Sequence, residues 1–304
     1  MAALSCSQAP AQYVCRAIDA PGAGSTRANG ISNNGTISGF YEAPGTNVFR
    51  LSGGTFGLPS APAGASAAYG FGINDSGHLV GYTLSTGGYQ GFVWDGSAYA
   101  SLAYPGSNNT YAFGINTTGS VAGAYQTSTG SVSGFLLAGA SYQPVNVPNA
   151  KSTYLYAVND SGVSAGTYIG STGEISGFTK NGTSFTDVRV PGAVQTYVRG
   201  INNIGDVAGN YIDSMGSTHG FARLSNGTFW TFDVTGALRT YVMGINDSRA
   251  VAGFYMPNEY TSGGFTANLQ PVPLPAAGLL LAGGLMFLGR AMRRTRKRIA
   301  QPFP

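Results

Sequence analysis

Charge is what this chain has least of. Only 9% of its 304 residues are Asp, Glu, Lys or Arg, and there are two histidines and two cysteines. So few Cys and His leave no spacing that would ligate a metal, and no cofactor is expected. Strong helix formers such as Glu and Lys are scarce, which argues against a helical body. The formal charge of +4 does not mark a nucleic-acid binder. Six of the sixteen cations fall within residues 290–298, leaving ten against twelve acids, a net of −2, over residues 1–289. A nucleic-acid interface needs a basic face on the folded body, and none exists. No phosphate loop, nucleophile elbow, zinc signature or calcium loop occurs.

What is abundant is glycine (47 residues), tyrosine (18) and phenylalanine (16), the composition of short strands joined by tight turns. The segment "YGFGINDSGHLVGY" at 69–82 recurs as "YAFGINTTGSVAGAY" (111–125), "YLYAVNDSGVSAGTY" (154–168), "YVRGINNIGDVAGNY" (197–211) and "YVMGINDSRAVAGFY" (241–255). A fainter copy, "RANGISNNGTISGFY", occupies 27–41. The first glycine of the motif, or its alanine substitute, stands at 30, 72, 114, 157, 200 and 244, in steps of 42 to 44. After it comes a Gly-Phe pair, at Phe92, Phe135, Phe178, Phe221 and Phe265, with Phe49 preceded by Val. An aromatic-led run such as "SFTDVRVPGA" (184–193) follows. Four alternating runs in about 43 residues predict a four-stranded blade.

Between the first two strands, Asn74, Asn116, Asn159, Asn202 and Asn246 are expected to bond the backbone two residues on. Gly77, Gly119, Gly162 and Gly205, with Gly35, supply the positive φ that closes the hairpin. Copy six carries Arg249 in place of this glycine, predicting a strained or altered turn. It also stops at "GGFTANLQ" (263–270) without a fourth strand, whereas "YVCRAIDAPGAGST" (13–26) matches the fourth-strand segment and precedes copy one. The expectation is a six-bladed β-propeller over 13–268, closed by an N-terminal strand at 13–18 that completes the last blade.

Residues 1–12 contain a short apolar stretch and Ala-Pro-Ala but no positive start, and read as the remnant of a secretion signal or as an unstructured end. Cys6 and Cys15 either pair in an oxidising compartment, or Cys6 is lost with a leader.

Residues 269–304 are of another kind. Val272, Pro273, Leu274, Pro275 and Ala276 lead an uncharged run to Gly289. The cations Arg290, Arg293, Arg294, Arg296, Lys297 and Arg298 follow. A helix from Ala276 to Gly289 spans only ~21 Å, short of the ~30 Å hydrocarbon core. The basic cluster nevertheless marks a transmembrane helix with a cytoplasmic C-terminus. This order of parts resembles the PEP-CTERM class of sorting signals, in its VPLPA variant, although "IAQPFP" (299–304) continues past the basic cluster. The resemblance implies an exosortase, a membrane transpeptidase, as partner. It also implies transient residence in the inner membrane, cleavage near Val272–Ala276, and delivery to the surface of a bacterium that makes exopolysaccharide. The repeats are more loosely similar to Gly-Ile-Asn-rich extracellular repeats of bacterial surface proteins.

No catalytic residue emerges, and the chain is expected not to be an enzyme. His78 and His219 occupy different places in their repeats and read as solvated or packed residues. Asp75, Asp160 and Asp247 recur at one turn position and read as turn formers. Asp206, Asp213 and Asp233 could supply a carboxylate pair, but nothing selects them. Tyr69, Tyr111, Tyr154, Tyr197 and Tyr241 recur once per copy. Inter-blade packing explains that better than a glycan-stacking ring does, and the divergent loops 85–90, 128–133 and 256–262 are the expected binding surfaces. The function expected is binding of a glycan or protein partner at the cell surface. A polysaccharide hydrolase or lyase on the same scaffold, and a purely structural biofilm component, are the alternatives.

Overall fold

The run of small and aromatic residues in each copy makes strands, and the computed structural model describes residues 4–8 and 11–269. Twenty-five strands and no helix occur among them. The chain begins with β1 (Ser5–Gln8) and β2 (Ala11–Ile18). The first four-stranded sheet is β3 (Ser25–Ile31), β4 (Ile37–Ala43), β5 (Gly45–Ser52) and β6 (Thr55–Gly57). The second is β7 (Ala67–Ile73), β8 (Leu79–Ser85), β9 (Gly88–Trp94) and β10 (Tyr99–Leu102). The third is β11 (Thr110–Ile115), β12 (Val121–Gln126), β13 (Val132–Ala138) and β14 (Ser141–Val145). The fourth is β15 (Ser152–Val158), β16 (Ser164–Ile169), β17 (Ile175–Asn181) and β18 (Ser184–Val188). Copy five contributes β19 (Gln195–Ile201), β20 (Val207–Ile212), β21 (Thr218–Arg223) and β22 (Phe229–Val234). Copy six contributes β23 (Arg239–Ile245), β24 (Ala250–Met256) and β25 (Gly263–Asn268).

Strand β2 lies against β25, with Cys15 opposite Ala267 and Ile18 opposite Gly264. The copy-six strands thus gain their fourth strand from the other end of the chain. Copies five and six do not remain separate sheets. Strand β1 pairs with β22 on one side and β2 on the other, giving one nine-stranded sheet in the order β19-β20-β21-β22-β1-β2-β25-β24-β23. Of the two readings of 1–12, the unstructured end is corrected for residues 5–8 and 11–12, which are strands. The Cys6–Cys15 disulfide, with Cα atoms 5.8 Å apart, fastens the hairpin in that position. Four four-stranded sheets and this joined sheet form an all-β, propeller-like arrangement. The predicted span and the sorting motif lie outside the described residues, among which no helix is long and apolar enough to cross a membrane.

Two devices in the repeat build the core. The second-strand glycine faces the third-strand phenylalanine across the ladder: Gly39 and Phe49, Gly81 and Phe92, Gly123 and Phe135, Gly166 and Phe178, Gly209 and Phe221, Gly253 and Phe265. A methyl group on any of these glycines would strike the Phe ring and the first-strand backbone. The glycine is therefore the space into which the ring packs, and all six rings are 0–2% exposed. The second device is a threonine at the start of the first strand. Thr26, Thr110, Thr153, Thr196 and Thr240 each accept a hydrogen bond from the backbone N–H six residues earlier, at 2.9–3.1 Å. It ties the fourth strand of one unit to the first strand of the next.

Candidate functional site

The first strand of every copy runs along a central channel, and its residues form six-membered rings in layers. At the waist, Gly30, Gly72, Gly114, Ala157, Gly200 and Gly244 bring neighbouring backbones together. A Cβ on Gly30 would meet Gly72, one on Gly72 would meet Gly114, and one on Gly244 would come within 3.5 Å of Gly30, so the ring closes on itself. The free space there is only about 80 Å³.

On one side of the waist lie the turn residues. The Asn side-chain amides form a chain around the axis. Asn74 donates to Asn116 O, Asn116 to Asn159 O, Asn159 to Asn202 O, Asn202 to Asn246 O and Asn246 to Ser32 O, at 2.9–3.1 Å. The same side chains accept from their own turns. Asn159 Oδ1 takes the N–H groups of Ser161 and Val163, and Asn202 Oδ1 those of Ile204 and Asp206. The asparagine of the repeat motif thus acts between copies as well as within them. Gly35, Gly77, Gly119, Gly162 and Gly205 have φ between 78° and 88°. Arg249, in the equivalent place, has φ 59° and is held there by an ion pair of 2.8 Å from its Nε to the fully buried Asp206.

One residue further out, Asp75 accepts the backbone N–H of Asn33, Asp160 that of Thr117, and Asp247 that of Asn203. Asp160 is desolvated, which raises its pKa, but the hydrogen bonds from Thr117 and Asn203 outweigh this and lower it. These acids close the turn ring and leave a space of about 70 Å³. Among the described residues no group of acids, His and Cys is placed to hold a metal.

The other side of the waist opens into a cavity of about 430 Å³. A β-bulge in each first strand makes it. The ladder skips Asn29, Phe113, Tyr156, Arg199 and Met243, and in copy two Phe71 with Gly72. All six of these bulge side chains line the cavity. Bulges re-aim side chains in this way, often beside binding sites. Above them Arg27, Tyr69, Tyr111, Tyr154 and Tyr241 form a second layer. The repeated tyrosines were expected to serve inter-blade packing. They do meet neighbouring rings, as Tyr69 does Phe40 at 5.1 Å, yet four of the five also face the cavity. Burial is the largest cause raising the pKa of Tyr82, Tyr111, Tyr154 and Tyr197, so these phenols stay neutral at pH 7 and can donate hydrogen bonds. Of the two variable positions in Tyr-x-x-Gly-Ile-Asn, the first is always small or aliphatic, whereas the bulge position changes in chemical character (Asn, Phe, Phe, Tyr, Arg, Met). That variation in an otherwise regular register was the signal available in the sequence, and the loops 85–90, 128–133 and 256–262 drew attention instead.

Of the acids set aside as a possible pair, Asp213 and Asp233 do meet, around His219. Its Nδ1 is 2.8 Å from Asp233 and its Nε2 3.3 Å from Asp213, with Tyr211 stacked alongside at 5.1 Å. Burial lowers the His219 pKa, but the hydrogen bonds and charges of the two carboxylates outweigh it and raise it. Asp206 is not part of this group and is committed to Arg249. His78 donates its backbone N–H to Asn74 and takes no part in either cavity.

No protein-family model matches this sequence, and no curated protein does. Solved structures of similar shape include the SapL1 lectin in complex with alpha methyl fucoside. It is 10% identical, covers 83% of this chain and 98% of its own, and has a TM-score of 0.54. A mutant of AofleA from Arthrobotrys oligospora is 13% identical over 80% of this chain and 83% of that one, with a TM-score of 0.49. A gluconolactonase from Xanthomonas campestris is 12% identical over 89% and 96%, with a TM-score of 0.48. At such identities the likeness to SapL1 speaks to the β-propeller fold alone.

Proposed function

We propose that this chain is a six-bladed β-propeller that binds a saccharide in its aromatic axial cavity. The six blades are the four separate sheets and the two halves of the joined one. The observation that carries the binding reading is the composition of the cavity. Tyr69, Tyr111, Tyr154 and Tyr156, with Phe71 and Phe113, supply flat faces for the C–H surfaces of a sugar, and the phenols supply donors for its hydroxyls. No carboxylate lines it. A hydrolase or lyase would need acids converging on the ligand, and Asp75, Asp160 and Asp247 are instead engaged with turn backbone beyond the narrow waist. Binding without turnover is therefore the better reading.

The test is a glycan array probed with the full chain in mild detergent, beside Tyr111→Ala and Tyr156→Ala. Retained sugars whose signal drops at least tenfold in both variants are expected. Absence of any bound sugar would instead favour a purely structural matrix component.

The place of action follows from the tail. Residues 271–298 serve as an exosortase-read sorting signal, with the body delivered outside the inner membrane. Support comes from the order of motif, apolar run and cations, and from the disulfide, which suits an oxidising compartment. The mass of the C-terminal peptide of the mature protein checks it: an end near Ala276 is expected. Retention of 290–304 would make the segment a plain anchor.

A further inference from the structure

The cavity is aromatic all round but not electrically neutral. Its lining includes Arg27 and Arg199, and neither guanidinium has a carboxylate partner among the described residues. Arg189, Arg239 and Arg249, by contrast, all pair with acids. Arg199 is the bulge residue of β19. Its guanidinium lies over the Tyr156 ring at 4.1 Å and near Tyr197 at 5.4 Å. Its Nε is buried and has no hydrogen-bond partner. Stacking on an aromatic face holds the plane of an arginine while leaving the N–H groups on its edge free, the arrangement that receives a carboxylate through two parallel bonds. A buried donor without an acceptor destabilises the free protein, and an incoming anion would remove that cost. Arg27 differs. It lies between Phe40 and Phe254, at 5.5 and 4.8 Å, and its Nε already donates to Ser262 Oγ.

We propose that the saccharide taken by this cavity is acidic, a hexuronate whose ring carboxylate pairs with Arg199 while its sugar face stacks on the neighbouring tyrosines. The proposal rests on the saccharide-binding reading above and narrows it to one chemical class. A neutral sugar can offer the Arg199 Nε only a hydroxyl or ring oxygen, and it leaves the guanidinium charge uncompensated inside the cavity. A uronate satisfies it and neutralises a cation with no internal counter-charge. Arg27, at the wider layer, adds long-range attraction without being the contact.

Titration calorimetry tests this on the full chain in detergent, with oligomers of glucuronate, galacturonate and mannuronate and with the methyl ester of each. The expected result is at least one acid bound more than tenfold tighter than its ester, and a preference that shrinks as salt rises from 50 to 500 mM. Arg199→Gln should bring acid and ester within about twofold of each other. An unchanged circular dichroism spectrum and melting temperature serve as the check that the variant is folded. Arg27→Gln should weaken the acid less than Arg199→Gln does. Equal binding of acid and ester overturns this inference and leaves the saccharide reading standing. Acid preference that survives Arg199→Gln overturns the assignment to Arg199. Failure of every acid and every ester overturns both readings.

Discussion

The two ends of the axial channel are made by the same six strands, a few residues apart, and they differ in how completely their polar groups are satisfied. At the turn end each Asn of the motif serves its own hairpin and its neighbour, and each recurring Asp accepts a backbone N–H. The motif Asn amides and these Asp carboxylates are thus satisfied inside the protein, and the space left is about 70 Å³. At the bulge end the ladder skips at least one residue in every copy, six side chains of five kinds turn inward, and a cavity of about 430 Å³ remains with an arginine Nε unpaired. At the turn end a ring of like Asn residues is spent on holding the copies together. A ring whose members differ is free to recognise something, because no symmetric requirement governs it.

The comparison can be broken most severely at the rule shared by both ends, the packing of each unit. Phe178→Ala should cost about 3–5 kcal/mol in chemical denaturation, since the ring is fully buried against Gly166. Any sugar affinity measured on the protein that remains folded should be unchanged. A loss under about 1 kcal/mol would show that the Gly-Phe device is not what holds the sheets.

Next comes Arg249→Gly. Glycine suits the positive φ of this turn and should relieve about 1 kcal/mol of strain. It also leaves the buried Asp206 without its cation, which costs about 3–5 kcal/mol. Net destabilisation of about 2–4 kcal/mol at pH 7 is expected, and a stabilised variant would show that the ion pair contributes little. Burial raises the Asp206 pKa, but the hydrogen bonds from Arg249, Ser225 and Asn202, with the Arg249 charge, together outweigh it and the pKa is lowered. The contribution is therefore present above the unfolded carboxylate value and fades as pH falls below about 4, so the gap between wild type and variant should narrow in acid.

A smaller change sharpens the turn-end argument. The amide chain has five links, because copy one offers Ser32 where the others have Asn. Its hydroxyl bonds within its own turn, to Asn34 Oδ1 and Thr36 O. Ser32→Asn should add the sixth link, to Asn74 O, and raise stability by about 0.5–1.5 kcal/mol in the same assay. Destabilisation would mean that the local Ser32 bonds matter more than ring closure.

The smallest effect expected is at His219, away from both ends. Its folded pKa is raised, so the stabilisation it provides is complete below the unfolded value near 6.5 and is lost as pH climbs through the higher folded value. Melting temperatures from pH 5.5 to 8.5 should fall more in the wild type than in His219→Gln. Parallel curves would indicate that the Asp213 and Asp233 contacts carry no net charge coupling.

Much of this architecture was legible before any coordinates. The spacing of Gly30 through Gly244 set the number of copies, and the truncated sixth copy pointed to residues 13–18 as its missing strand. The turn glycines announced their positive φ and Arg249 its strain. Other features were not legible. Nothing in "ALSCSQ" indicates that β1 slots between β22 and β2, because that depends on an edge left open by copy five, some 230 residues away in the chain. The outward bond of each motif Asn was hidden too, since its acceptor is a backbone carbonyl of the next copy and carries no side-chain signature. The tyrosines were assigned to packing because recurrence is blind to direction: a residue repeated five times can face a neighbour or an axis.

By itself, then, the sequence determined the periodic part of this protein: copy number, strand pattern, turn chemistry, and the glycine that makes room for each buried ring. These follow from local backbone geometry and side-chain volume, which act between residues close in the chain. Tertiary structure alone decided which residues became a site. A one-residue bulge in each first strand turns Asn29, Phe71, Phe113, Tyr156, Arg199 and Met243 to the axis, and only ring closure brings six such positions, each about 43 residues from the next, around one cavity.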